Sequence, residues 1–149
     1  MYKHLLVPTD GSPLSGYAVD QALALAAALG ARVTFLTAIE PFHVIAYVPE
    51  QVVEVRTSYE EHARRAADQR LGSAKARAEA AGVAHAIEVA TSDDPHEAII
   101  ATAREKGCDL IAMASHGRRG VKALVLGSVA TKVLTHSEIP VLVYRHAAD

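Results

Sequence analysis

Short apolar runs alternate with longer segments of helical spacing along this whole chain, and that alternation restricts the fold more than any other feature. The first run, Tyr2 to Val7, is rich in Leu and stops at Pro8-Thr9-Asp10-Gly11-Ser12-Pro13. It reads as a buried strand and a turn, then a helix with Ser12 at the N-cap and Pro13 in its first position. The helix runs from about Leu14 to Leu29 with an apolar stripe of Ala18, Ala22, Leu25, Ala26 and Leu29, and Gly30 stops it. Arg32 to Ile39 is the second strand, carried by Val33, Phe35 and Leu36.

The same grammar continues. Glu40 to Pro49 has prolines at its ends and reads as an ordered loop. Glu50 to Ala81 is a long helical pattern with Val52, Val55, Tyr59 and Ala63 on one side, a weak point at Gly72 and a stop at Gly82. Glu60 with Arg64 and Glu61 with Arg65 have the spacing of i,i+4 pairs on a solvated face. Val83 to Ala90 is a third strand, and Asp94-Pro95-His96-Glu97 has the layout of a capping box opening a helix to about Lys106, closed by Gly107. Asp109 to Ala114 is a fourth strand, Ser115 to Gly127 a Gly-rich loop, Ser128 to His136 a short helix and Pro140 to Tyr144 the last strand. Strands joined by helices demand a parallel sheet covered on both faces, because each right-handed crossover lays its helix against the sheet. With 149 residues, the expectation is one domain spanning 1–149.

Composition excludes several classes. A net charge of −2 gives no overall basic footprint for nucleic acid. The longest apolar run, Ala22 to Leu29, is far short of the roughly 20 residues that cross a bilayer. Pro8 interrupts the opening run too soon for a secretory leader, so the expected location is cytoplasmic. The single Cys108 excludes an intrachain disulfide framework and reads as a small core residue. The eight histidines form no H-E-x-x-H or similarly tight ligand pair in sequence.

Ligands of such sheets bind beyond the carboxyl ends of the strands, where the strand order switches direction. Two loops fall there. One carries Asp10-Gly11-Ser12; the other runs from Ala114-Ser115-His116-Gly117 through Arg118-Arg119-Gly120 to Leu126-Gly127-Ser128. Glycines let backbone approach an anion, and the helix start at Ser128 offers N–H groups without acceptors. Neither a P-loop nor a G-x-G-x-x-G pattern occurs. The same glycines serve equally to turn a connection, Asp10-Gly11 is also a turn signal, and His116, Arg118 and Arg119 are as compatible with solvent as with a phosphate. No G-x-S-x-G elbow is present, and neither loop holds a Gln or Glu to position water, so catalysis finds no support beyond slow turnover.

Over nearly its whole length the chain resembles the universal stress protein family. The resemblance rests on Leu5-Leu6-Val7-Pro8-Thr9-Asp10-Gly11-Ser12, the stretch from Met113 through Gly120, Leu126-Gly127-Ser128 and Ile139-Pro140-Val141-Leu142-Val143. The family's ATP-binding branch carries G-2x-G-9x-G-[S/T]. Here Gly117, Gly127 and Ser128 match it, and Ala114 replaces the first glycine. The resemblance implies a Rossmann-like (adenine nucleotide alpha hydrolase-like) three-layer sandwich, with a five-stranded parallel sheet and helices on both faces. It also implies ATP held with Mg²⁺ or Mn²⁺. Gly117, Gly127 and Ser128 would hold phosphates through N–H groups and the serine hydroxyl. Asp10 would reach the ribose or the nucleotide-bound metal, and Ala38 would meet adenine. Pro8, Thr9, Met113, Ala114, His116, Arg118, Gly120 and Val129 complete the expected contacts. A homodimer through Pro140 to Tyr144, an unidentified protein partner and a nucleotide-dependent switching role follow from the same likeness. Its other branch would work through protein contacts alone, without ATP. If Ala114 ends the fourth strand, its φ is negative and alanine is tolerated there. A Gly127→Val change is expected to block the phosphate approach while sparing the fold.

Overall fold

In the computed structural model of the chain, which describes residues 1–44, 49–117 and 126–145, the alternation resolves into nine elements. They are β1 His4–Pro8, α1 Pro13–Leu29, β2 Arg32–Ile39, α2 Pro49–Ala81, β3 His85–Thr91, α3 Pro95–Glu105, β4 Leu110–Ala114, α4 Ser128–His136 and β5 Val141–Tyr144. The five strands are all parallel in the order β3-β2-β1-β4-β5. β1 and β4 are neighbours, so the connections run outward in opposite directions from that pair, and the crevice that this reversal opens lies at their carboxyl ends.

Residue alternation along each strand decides which layer it feeds. Leu5, Val7, Val33, Phe35, Leu110 and Ala112 face α1 and α2, packing on Val19, Ala22, Leu23, Ala26, Leu71, Ala74 and Ala78. Leu6, Leu36, Ile111 and Met113 face the opposite way, onto Ile99, Ala103, Ala130 and Val133 of α3 and α4. Both faces of the central strands are therefore dry, which is why their sequences are nearly continuous in apolar residues. Among the described residues no helix is long and apolar enough to cross a membrane.

The helix ends explain themselves locally. The Ser12 hydroxyl accepts from the Ser15 N–H at 3.2 Å, and Gly30, with φ 67°, closes α1. The capping box expected at Asp94 does not form. Asp94 sits at the N-cap of α3 with no side-chain cap bond, and its N–H is already taken by the Ser92 hydroxyl at 3.1 Å. That leaves Glu97 nothing to reach back to.

On α2 the Glu61–Arg65 pair forms at 3.6 Å. Glu60, however, turns back to Arg56 at 3.5 Å, while Arg64 goes forward to Asp68 at 4.0 Å. On an exposed helix several partners are within reach and each pair is worth only about 0.2–0.5 kcal/mol, so spacing does not select among them. Full burial on α2 begins at Ala67 and its core contacts at Leu71, and the Val52-to-Ala63 side expected to pack is only partly buried.

Candidate functional site

Two turns meet at the carboxyl ends of β1 and β4. After β1 the chain is held by a set of short bonds. The Thr9 N–H donates to the Leu36 carbonyl at 2.8 Å, and the Thr9 and Ser15 hydroxyls lie 2.6 Å apart, both buried. The Asp10 carboxylate accepts the Ser12 N–H at 2.9 Å. Gly11 takes φ 79°, a left-handed conformation that favours glycine. Thr9, expected at the ligand, thus has its hydroxyl committed to the turn, while Asp10 holds the turn and stands at the mouth of the crevice.

After β4, Ser115 organises the chain. Its N–H donates to the Tyr144 carbonyl at 2.9 Å, and its own carbonyl accepts the Gly127 N–H at 2.7 Å. Its hydroxyl lies 3.2 Å from His116 Nδ1. Ser115 thereby ties β5, the return of the loop and His116 together, a role the sequence analysis missed. The only signal for it was a small polar residue directly after an apolar strand.

The two turns touch through Gly117. A methyl group there would overlap Asp10 Oδ2, so a larger residue at 117 would make the Asp10 carboxylate turn aside. Gly127 is tight for a similar reason: a Cβ would lie 2.9 Å from the Cα and Cβ of His116 and 3.1 Å from the Ser115 oxygen. Two expectations change accordingly. The Gly127 N–H, expected at the phosphates, donates to the Ser115 carbonyl and closes the loop. A valine at 127 would also strike the His116 backbone, so it would not leave the local fold intact.

What faces the crevice is the start of α4. Gly127 precedes it with no side-chain cap, and the helix geometry leaves the N–H groups of Ser128, Val129 and Ala130 without intrahelical acceptors. Ser128 itself is exposed. These donors, with the partial positive charge of the helix end, suit an anionic oxygen.

The remaining expected residues divide. Ala114 is the last residue of β4, with no positive φ, and its methyl packs with Leu14 and Ala18 of α1. Met113 is buried on the α3/α4 side, with Val129 packed against the same cluster, so both side chains are core. Pro8 ends β1 and Ala38 is the next-to-last residue of β2, both half-buried. Next to Ala38, the buried Thr37 hydroxyl has no hydrogen-bond partner among the described residues. Arg118 and Gly120 lie outside the described residues, as do Arg119 and Lys122. A shallow concavity of about 430 Å³ along Glu54, Val55, Ser58, Tyr59 and His62 of α2 shares no residue with either turn.

Several groups away from the crevice are shifted by their surroundings, Cys108 and His4 among them. Burial, then the Asp109 charge, pushes the Cys108 thiol up to about 11, so it stays protonated and packs as an apolar residue. Burial, followed by the Arg32 charge, lowers the pKa of His4, whose Nε2 lies 2.7 Å from the Thr34 hydroxyl.

The model of the universal stress protein family matches residues 1–145 of the chain. The universal stress protein YxiE of Bacillus subtilis is 34% identical over 153 aligned positions, which cover 97% of this chain and all of YxiE. The universal stress protein MJ0577 of Methanocaldococcus jannaschii is 28% identical, covering 97% of this chain and 96% of its own length. The solved structure of MJ0577 superposes with a TM-score of 0.84 over 100% of this chain and 99% of that one. A universal stress protein solved in complex with cAMP is 28% identical, with a TM-score of 0.65 and 97% of each chain covered. The chain belongs to the universal stress protein family.

Proposed function

We propose that this member of the universal stress protein family binds ATP together with Mg²⁺ or Mn²⁺ in the crevice between β1 and β4, and that occupancy switches its protein contacts. The observation that carries the reading is the uncapped start of α4, held at the crevice by the Gly127–Ser115 bond, with Asp10 beside Gly117 in the adjoining turn. The donor set fits a nucleotide phosphate: N–H groups of Ser128 and Val129, the Ser128 hydroxyl, and an acidic oxygen nearby. Ala38 lies where a base would extend along the end of β2. A solved relative in complex with cAMP supports the same ligand class.

Among the described residues no group of three or more metal-ligating side chains exists. A divalent cation would therefore ride on the phosphates, with Asp10 as its one protein carboxylate, and its chemistry there is charge neutralisation. The residues of the chain bind and orient the nucleotide. The apolar β5 edge, Val141 to Tyr144, is where a second copy would pair, satisfying two open strand edges at once. The proposed setting is the cytoplasm, with an unidentified protein as the partner that reads the bound state.

The contrary observation is the Gly127 N–H, which is spent within the protein and leaves fewer donors for phosphate. It favours the family's mode of acting through contacts alone. Denaturing the purified protein and identifying the released small molecule, with calorimetric titration of ATP and Mg²⁺, decides between them. An adenine nucleotide released, or saturable heat, supports the proposal. No nucleotide and no heat would replace it with the contact-only reading. A steady-state phosphate-release assay then separates a switch from a slow hydrolase.

A further inference from the structure

α3 and α4 pack against one another over the sheet, and their cluster of Ile99, Ala103, Ala130 and Val133 fixes the two helices side by side. His96, in the first turn of α3, and His136, the last residue of α4, meet at one end of this contact. Their ring centroids are 5.8 Å apart with an interplanar angle of 39°.

The His136 tautomer is fixed by its surroundings. Its Nδ1 lies 2.9 Å from the Lys132 carbonyl oxygen. A carbonyl only accepts, so Nδ1 donates to it and Nε2 is the ring nitrogen left for a ligand. Anchoring one ring nitrogen on a carbonyl is the arrangement that orients imidazoles which bind metals through the other. His96 has no hydrogen bond to its ring among the described residues, so its nitrogens are uncommitted.

The separation can be tested against coordination geometry. With metal–nitrogen bonds of about 2.0–2.1 Å and about 1.1 Å from nitrogen to ring centre, each centroid lies about 3.2 Å from the ion. Two such rings stand roughly 5.2 Å apart at a tetrahedral angle and roughly 6.4 Å apart when opposed. The observed 5.8 Å falls inside that window, on helices already packed together.

We propose that His96 and His136 form a two-imidazole site for a late first-row divalent cation such as Zn²⁺ or Ni²⁺, bridging α3 and α4. Imidazole nitrogen selects these ions, whereas Mg²⁺ and Ca²⁺ require oxygen donors. Among the described residues no third His, Cys, Asp or Glu completes a group there. The remaining positions belong to water or to an exchangeable ligand, which sets the expected affinity in the micromolar range. This site is separate from the nucleotide crevice and stands whether or not ATP binds.

The test uses untagged full-length protein. Calorimetric titration with ZnCl₂ should show one saturable site that MgCl₂ does not compete for. His96→Ala and His136→Ala should each weaken it at least about tenfold, the scale on which single side chains matter at metal sites. His62→Ala, on α2 away from the pair, should not. Of the eight histidines in the sequence, substoichiometric Ni²⁺ should broaden the ring resonances of these two first. That readout on the unaltered protein covers the case in which a variant folds poorly. No binding up to millimolar Zn²⁺, unchanged affinity in both alanine variants, or broadening centred on His43, whose Nε2 lies 2.7 Å from Asp93 Oδ1, would overturn the proposal.

Discussion

Gly127→Ala and Gly72→Ala add the same methyl group and are expected to move stability in opposite directions. Gly127 precedes α4 with φ −63° and ψ 161°, a conformation open to any residue, so backbone strain plays no part. Space decides instead. The new Cβ would stand 2.9 Å from His116 Cα and Cβ and 3.1 Å from the Ser115 oxygen. Those atoms belong to backbone tied to Tyr144 and to Gly127 itself, so they cannot step aside freely. Overpacking of this kind costs roughly 1–3 kcal/mol, and losing the freedom of glycine in the unfolded chain returns about 0.4–1 kcal/mol. The net loss centres near ~1.3 kcal/mol, or roughly 3–5 °C in Tm for a domain of this size.

At Gly72, in the middle of α2, a Cβ meets nothing within 4 Å. There the helix gains about 0.5–1 kcal/mol, worth roughly 1–4 °C. Thermal and urea unfolding followed by circular dichroism, at matched protein concentration and neutral pH, measures both. A Gly127→Ala protein that melts at or above the wild type would refute the contact between Gly127 and His116, and with it the placement of α4 at the crevice. A Gly72→Ala protein that melts lower would refute the continuous course of α2.

Acid should destabilise the fold in two stages. The folded-state pKa of His4 lies below 6.5, so its contribution is complete above about pH 6.5 and is lost as pH falls through that value. Burial alone would raise Asp109, but the N–H groups of Lys3 and His4 outweigh it and hold the carboxylate below 3.8. Its contribution is therefore present above about pH 3.8 and lost below. In His4→Leu the first stage should vanish from stability–pH curves; an equal fall between pH 7 and 5 in both proteins would contradict the assignment. Thr37→Val replaces a buried hydroxyl that has no partner among the described residues by a methyl and should stabilise by about 1 kcal/mol in urea unfolding; a loss would mean that the hydroxyl is bonded. Ala114→Gly should change ATP affinity less than about tenfold by calorimetry, while lowering stability by roughly 1–2 kcal/mol through lost packing on Leu14 and Ala18. ATP binding gained only in the glycine variant would make Ala114 an off-switch. Pairing through β5 should give a dimer in sedimentation; a wild-type monomer at micromolar concentration removes the β5 pairing.

Much of this was legible because it depends on local rules. The alternation of apolar runs with helical spacing determined nine elements to within about two residues at nearly every end, and two-sided burial follows from strands without polar alternation. Ser12 as a cap, Gly30 as a stop and Ala114 as the end of a strand are likewise matters of neighbouring residues. The two loops at the strand ends were legible too, since crossover topology sends them there whatever their composition.

What the sequence could not decide was which of several chemically competent partners each group takes. Asp94 had Glu97 at the right spacing, yet Ser92 was nearer. Glu60 had Arg64, yet took Arg56. Gly127 looked like a donor to phosphate, and only the return of the loop onto Ser115 revealed that its N–H is spent and its missing side chain makes room for His116. Likewise His96 and His136, 40 residues apart in number, become neighbours only because α3 and α4 share one face of the sheet. Periodicity and capping are set within a few bonds of the chain, so the sequence carries them. Partner choice is a competition among distances, and those distances exist only once the layers have packed.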